Sequence, residues 1–445
     1  MRRKMTLMAV YVVAVAAALA LLSRWGPVIE AAQDAELNGA DTVWVSLSAA
    51  LVMLMTPALG FFYGGLVRQK NLVSTLVQCV AIFAVATAVW VLWAYSLAFG
   101  TSMGGFIGNL KYAFLRGVGM APDADYAATI PSLSYCFFQM KFAAITPALI
   151  IGAFAERVRF KSLLAFIVIW ATVVYAPVAH WVWGLGGWLR ELGALDFAGG
   201  TVVHVVAGSS ALAGALVIGR RYMNGDGHPG PCNVPYVILG ASLLWFGWFG
   251  FNAGSALAIN GLAVSAMFTT NVAAAFATLS WMAVDWQLKG KPSASGAAIG
   301  AVCGLVAITP AAGFVDVSAA MAIGLVAGLV CNMTVIVIKR TTLDDTLDVF
   351  ACHGVGGIWG AIATGVFAST AINPAGADGL LHGNPMQVLI QAAAVLAAGA
   401  WGFGGSWVVL KVLDAVMGLR VTPEEEELGL DVSQHGEAAY TLQFD

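Results

Sequence analysis

Two short stretches set an acid and an imidazole at the mouth of an apolar run: DFAGGTVVH, with Asp196 and His204, and DVFACH, with Asp348 and His353. Ionisable side chains inside hydrocarbon-length segments are costly, so each is a candidate for function. The set is Lys141, Asp196, His204, His353 and, near the edge of its run, Asp285. A lone histidine in such a run is ordinarily a core residue satisfied by a backbone carbonyl. Two at matched positions of two similar units favour a functional pair. Brought together in an apolar pore they stay neutral, because desolvation disfavours the charged form and two imidazoliums repel. One ring can then donate to the other while the outer edges face a solute, giving hydrogen bonds or a proton path without a fixed charge. No third or fourth ligand accompanies them, and the six cysteines contain no CxxC, so neither a metal centre nor a cofactor is expected. Asp348 reads as a helix N-cap. Asp196 reads as a cap that also biases the mouth of a path toward cations.

Aromatic residues gather near the same mouth: Phe142, Trp181, Trp183, Trp188 and Phe251. Trp181 and Trp188 read as members of an interfacial belt. An aromatic face can also receive a small dehydrated cation, worth about 2 kcal/mol or more. Ser255 adds a hydroxyl acceptor.

The elements that must position these groups follow from composition. Of 445 residues 60% are hydrophobic and 10% charged, against about 25% charged in a soluble domain. The apolar runs reach the roughly 20 residues that a membrane crossing needs and lack the alternation of barrel strands. A net charge of -3 argues against a nucleic-acid binder. After an apolar run from Met5 to Leu22, which reads either as a signal peptide or as a short anchor, eleven spans are expected. They lie near 43–66, 72–98, 130–155, 162–182, 199–219, 234–254, 262–286, 293–314, 317–338, 349–368 and 386–417. Alternate connections carry Arg68/Lys70, Arg157/Arg159/Lys161, Arg220/Arg221, Lys289/Lys291 and Lys339/Arg340. The positive-inside rule makes these cytoplasmic, with the mature amino terminus outside and the tail after Gly418 inside. The fifth span then enters from outside and the tenth from inside, so the two Asp/His units are inverted relative to each other. GFFYGG (Gly60 to Gly65) likewise echoes FGFNAG (Phe249 to Gly254). The expected fold is an all-α polytopic membrane protein: two inverted five-helix repeats plus a long eleventh helix, with the solute path at their interface.

The assembled motifs resemble the ammonium transporter family, the Amt branch of the Amt/Mep/Rh superfamily, over nearly the whole chain from Asp41 to Tyr440. They are MTPALGFFYGGLVRQKN (from Met55), FQMKFAAITPALIIGAFAERVRF (from Phe138), GALDFAGGTVVH (from Gly193), WFGFNAGSA (from Trp248), GKPS (from Gly290) and DDTLDVFACHGVGG (from Asp344). The tail GLRVTPEEEELGLDVSQHGEAAY, from Gly418, resembles the family's cytoplasmic regulatory tail. The resemblance implies an outer ammonium site of Phe142, Trp183 and Ser255, a stacked gate of Phe142 and Phe251, pore histidines His204 and His353, and Asp196 as the structural acid below the recruitment site. It also implies a homotrimer in the bacterial inner membrane and block by a PII-type (GlnK-like) signalling protein. Residues 1–40 would be leader and short outer segment, 41–417 the transport domain and 418–445 the regulatory tail. Lys141 beside the gate should repel ammonium unless it snorkels outward or enters a subunit contact. Rival readings are a passive ammonia channel of Rh type and an ammonium sensor; an intramembrane hydrolase is disfavoured because no serine elbow or HExxH occurs.

Overall fold

The computed structural model describes residues 37–222 and 230–440; the run from Met5 to Leu22 lies outside the described residues. Among these, ten helices are long and apolar enough to cross a membrane. They are α1 (Gly39–Leu66), α2 (Gln69–Phe99), α3 (Ser132–Phe154), α4 (Phe160–Leu192), α5 (Gly200–Ile218), α6 (Val234–Ala256), α7 (Gly261–Lys289) and, beyond the shorter α8 (Ala294–Ile308), α9 (Val317–Ile338), α10 (Phe350–Phe367) and α11 (Met386–Met417). The eighth expected span is thus a helix of 15 residues followed by turns over 309–314. Pro310 explains the early stop: it has no N–H to donate back into α8, although Thr309 before it keeps helical backbone angles. At 1.5 Å per residue, α8 covers only about 22 Å.

Polar residues in the connections set the helix starts. Asn38, Asn233, Asn260, Ser293 and Asp316 each accept backbone N–H bonds in the first turn of α1, α6, α7, α8 and α9 respectively. Two short antiparallel hairpins, pairing Ser102–Met103 with Ile107–Gly108 and Pro122–Asp123 with Ala127–Pro131, fold over the end where Trp183 and Asp196 lie, here the vestibule face. One of them covers Trp181. That ring is 4% exposed, packs on Phe106 and Trp401, and donates to the Phe106 carbonyl. It is therefore an interior residue and not a belt residue, whereas Trp188 is 39% exposed.

Close helix crossings rest on missing side chains. A Cβ at Gly240 of α6 would lie 2.3 Å from the Phe62 nitrogen of α1, and one at Gly208 of α5 would lie 2.1 Å from the Gly354 nitrogen of α10. The second crossing fixes the two histidine-bearing helices against each other. Outward faces remain apolar, as at Val80, Phe246 and Leu396, which suits a lipid surround.

The opposite end, the tail face, is held by charge. Glu156, in the α3–α4 connection, is fully buried between Arg68 (2.7 Å) and Arg221 (3.1 Å), and Arg221 continues to Asp344 (3.0 Å). Burial alone would raise the Glu156 carboxyl, but the two guanidiniums hold it below its ordinary value. Buried Arg157 donates to carbonyls of Ala153, Ala155, Gly219 and Asp344. The segment after α11 lies on this face. Its short helix α12 (Pro423–Leu428) starts with a capping box between Thr422 and Glu425, and Arg420 pairs with Glu426 at 2.8 Å. Leu430 N–H donates to Asn71, and Asp431 accepts from the Val73 and Ser74 N–H groups near the start of α2. Asp285, near the edge of its run, is 1% exposed and accepts from Lys289, Ser293 and Asn332.

Candidate functional site

The sequence sets the site at two matched helix starts. Asp196 precedes α5 and its carboxylate accepts four backbone N–H bonds, from Gly199, Gly200, Thr201 and Val202, at 2.6–3.0 Å. With its lone pairs committed and the side chain buried, it acts as an anchor for the first turn. Ahead of α10, the residue doing this is Asp345, which accepts from Val349 and Phe350 at 3.0 and 2.7 Å. The cap expected at Asp348 is thereby corrected. Asp348 itself has φ +57°, which swings its side chain away from the helix start, and it lies 3.6 Å from Lys339. Asp196 stands eight residues before His204, and Asp345 eight before His353. That equal spacing was the signal in the sequence that would have pointed to Asp345 instead of Asp348.

α5 begins at the vestibule face and α10 at the tail face, so the two units run in opposite senses. Each histidine rides on a wide π-type turn, Gly200–Val205 in α5 and Phe350–Val355 in α10. Such turns are rare and concentrate at functional positions. They bring His204 Nδ1 to 3.2 Å from His353 Nδ1, with ring centroids 5.2 Å apart and planes 24° apart. Both rings are buried. His204 also stacks on Trp248 at 5.4 Å, and the Trp248 indole donates to Thr309. Trp248 stood inside the WFGFNAGSA motif without an assigned role; its spacing of three from Phe251 puts both on one face of α6. The Nε2 of His204 has no hydrogen-bond partner among the described residues.

At the vestibule face a cavity of about 300 Å³ is lined by Phe142, Trp183, Asp196 and Ser255, together with Tyr126, Tyr135 and Gln139. The last three were not singled out from sequence. Trp183 is held by its indole donating to the Asp196 carbonyl at 3.0 Å, and its ring meets Phe142 edge to face at 6.0 Å. Ser255 Oγ donates to the Phe251 carbonyl at 2.9 Å, so its lone pairs remain free to accept. Phe142 and Phe251 close the cavity floor. Their centroids are 4.3 Å apart, tilted at 44° and not lying flat on each other. Beyond them a narrow cavity of about 10 Å³ is lined by both histidines among apolar side chains. It shares Val302 and His353 with a third cavity, also of about 10 Å³, whose wall reaches Leu347 and Val349 on the tail side.

Lys141 does not face this line of cavities. Its ammonium sits over the Phe137 ring at 3.8 Å and the Phe83 ring at 5.1 Å, a placement that removes the expected conflict with a cationic solute. Among the described residues no group of three or more His, Cys, Asp or Glu side chains is arranged to hold a metal ion.

The sequence profile of the Ammonium Transporter Family matches residues 43–440. An ammonium transporter of Bacillus subtilis is 50% identical over 402 residues, covering 90% of this chain and 98% of that protein. The crystal structure of Saccharomyces cerevisiae Mep2 superposes with a TM-score of 0.84 at 37% identity, covering 92% of each chain. A structure described as a sensor Amt protein superposes with a TM-score of 0.80 at 32% identity, covering 89% of this chain and 98% of that one.

Proposed function

The chain belongs to the Ammonium Transporter Family, and from that premise we propose the route by which it moves ammonium across a membrane. NH4+ is received in the vestibule by the faces of Trp183 and Phe142 and the hydroxyl oxygen of Ser255. It loses its proton there and crosses as NH3 past Phe142 and Phe251 and along His204 and His353. The proton follows through the histidine pair, which makes transport electrogenic.

The observation that carries this reading is the line of three cavities, polar and wide at one end and narrow and apolar at the histidines. Ammonium and potassium are similar in size, so fit cannot separate them. A full charge near the bilayer centre costs several kcal/mol or more, and the second cavity has no ring of carbonyls to replace a hydration shell. Ammonium can escape that cost by giving up a proton; potassium cannot.

The vestibule face is the outer face and the tail face is cytoplasmic, which agrees with the basic residues collected at the latter. α8 with the turns after it supplies the eleventh crossing. The domain assignment keeps residues 1–40 as a signal peptide or anchor with a short outer segment, 41–417 as transport domain and 418–445 as regulatory tail, in a homotrimer of the inner membrane that a PII-type protein contacts through the tail.

The deciding experiment is a recording of charge displaced by an ammonium jump on liposomes containing the protein, beside a potassium jump. A saturable current with ammonium alone is expected. Intact ammonia flux without current would replace this reading by the passive channel; binding without flux would replace it by the sensor.

A further inference from the structure

The tail carries a histidine that the transport route does not use. Asp431–His435 forms a wide turn, and the residues at its two ends both reach the start of α2. The Asp431 carboxylate accepts from the Val73 and Ser74 N–H groups at 3.1 and 2.7 Å, while His435 Nε2 lies 3.2 Å from the Ser74 hydroxyl. Ser74 Oγ already accepts from Gln78 Nε2 at 3.2 Å. Its own proton is left to donate, and an imidazole with a bare Nε2 is a partner that takes it. On its other side the His435 ring meets Phe160, the first residue of α4, at 4.9 Å and 75°. The neighbouring Gln434 accepts from the Phe160 N–H at 3.2 Å. One half-buried ring thus ties the tail to two helices.

We propose that His435 is a pH-sensitive latch: a neutral ring keeps the tail docked on α2 and α4, and protonation of the ring releases the tail and slows transport. The effect on transport rests on the cytoplasmic regulatory tail given under Proposed function. Protonation turns the Nε2 acceptor into a donor and aims it at an oxygen that already receives one N–H. It also sets a positive charge at the positive end of α2, whose α-helical stretch opens at Leu72. The Asp431 and Glu437 carboxylates favour the charged ring, but burial outweighs them and holds His435 below its ordinary value. Of the cations on the packed elements, Lys70 is turned to the Glu427 carbonyl and Arg159 to that of Met417, while Lys161 follows Phe160 in sequence. The docked tail therefore binds fewer protons than the released one. Docking is complete above about pH 6.5, the ordinary histidine value, and weakens as pH falls below it. Asp431, which burial pushes up, acts with the opposite sign and stays in place in every variant below. Ammonia consumed inside leaves one proton for each ammonium delivered, so the latch opens when delivery outruns proton removal.

The test uses full-length protein in liposomes with the tail face accessible. Hydrogen exchange of the tail amides, corrected for the intrinsic pH dependence of exchange, is read at about pH 7.5 and about pH 5.5, on either side of the ordinary histidine value. Ammonium-jump currents are recorded at the same two values. In the parent, protection over 422–436 should fall about tenfold at the acid value, and the current should fall with it. His435→Gln keeps a polar partner for Ser74 but takes no proton. Its tail should stay protected at both values, and its current should exceed the parent's at the acid one. If that variant leaves the tail unprotected throughout, His435→Phe, which keeps the packing on Phe160 and likewise takes no proton, replaces it. Parent protection equal at both values overturns the proposal, as does a docked variant that loses protection as the parent does. Tail release with the current unchanged keeps the latch and overturns the regulatory role of the tail instead.

Discussion

His204 and His353 meet Nδ1 to Nδ1 at 3.2 Å, a contact that holds one proton between two rings and leaves the second edge of each ring for something else. A donor–acceptor pair of this kind requires that one Nδ1 be bare while the other is protonated, so the tautomers of the two rings are linked. A solute that changes the proton on one Nε2 therefore changes both.

From that linkage, His204→Ala should break the proton path and lower the ammonium current at least tenfold. Replacing the ring leaves apolar space where a polar edge stood. Ammonium-jump currents recorded beside potassium-jump currents check this; full ammonium current with selectivity intact would remove the histidine from the mechanism.

Asp196→Asn should destabilise the protein by about 2 kcal/mol or more, since an amide can accept only part of the four N–H bonds the carboxylate now takes and a buried donor left unpaired costs about 1–3 kcal/mol. Thermal unfolding in detergent measures the loss. A melting temperature unchanged from the parent would mean that the anchor is dispensable.

Gly208→Ala is expected to lower both stability and flux, the latter at least tenfold. Its Cβ would stand 2.1 Å from the Gly354 nitrogen and 2.9 Å from the His353 carbonyl carbon, so α5 and α10 must separate. Overpacking typically costs about 1–3 kcal/mol, and here the displacement falls on the histidine pair itself. Liposome flux against melting temperature separates the two effects.

The tail is tied to the start of α2 through Asp431. Asp431→Ala should cost about 0.5–2 kcal/mol of local stability, as loss of a cap does, and release the segment after Val421. Faster hydrogen exchange and protease cleavage there, with altered transport or altered block by a PII-type protein, are the expected outcomes. A tail as protected as before would show that its other contacts suffice.

Burial, and then the neighbouring Asp348 carboxylate, push the Asp345 carboxyl up to about 7, against about 3.9 in an unfolded chain. Between those values the folded protein holds a proton that the unfolded chain has lost. Its contribution therefore falls as pH rises from about 4 to about 7 and is constant above. Asp345→Asn should flatten that decline in melting temperature measured across the same window.

Much of this arrangement was legible before any coordinates. Apolar run length marked nine of the eleven helices within a few residues, and the inverted Asp/His units pointed to the place where α5 and α10 meet. What escaped depended on the path of single residues. Three aspartates crowd DDTLD, and only the left-handed backbone at Asp348 decides that Asp345 reaches the helix start. Trp181 is covered by a hairpin far from it in sequence. Pro310 shortened α8 within a run whose hydropathy continued to Phe314. The direction of Lys141 was set by two rings, Phe137 one helical turn before it on α3, which the spacing of four offered, and Phe83 on α2, which no local spacing could reveal.

The wide turns under His204 and His353 make the pair a matter of chain length as well as of residue identity. Each accommodates more chain than a regular helical turn does, and one residue corresponds to about 100° of rotation. The stripe that packs before each turn is therefore out of phase with the stripe that packs after it. Removing one residue from either turn would restore an unbroken spiral and sweep an imidazole round by that angle, with every side chain of the lining still present and the two rings no longer in reach of each other.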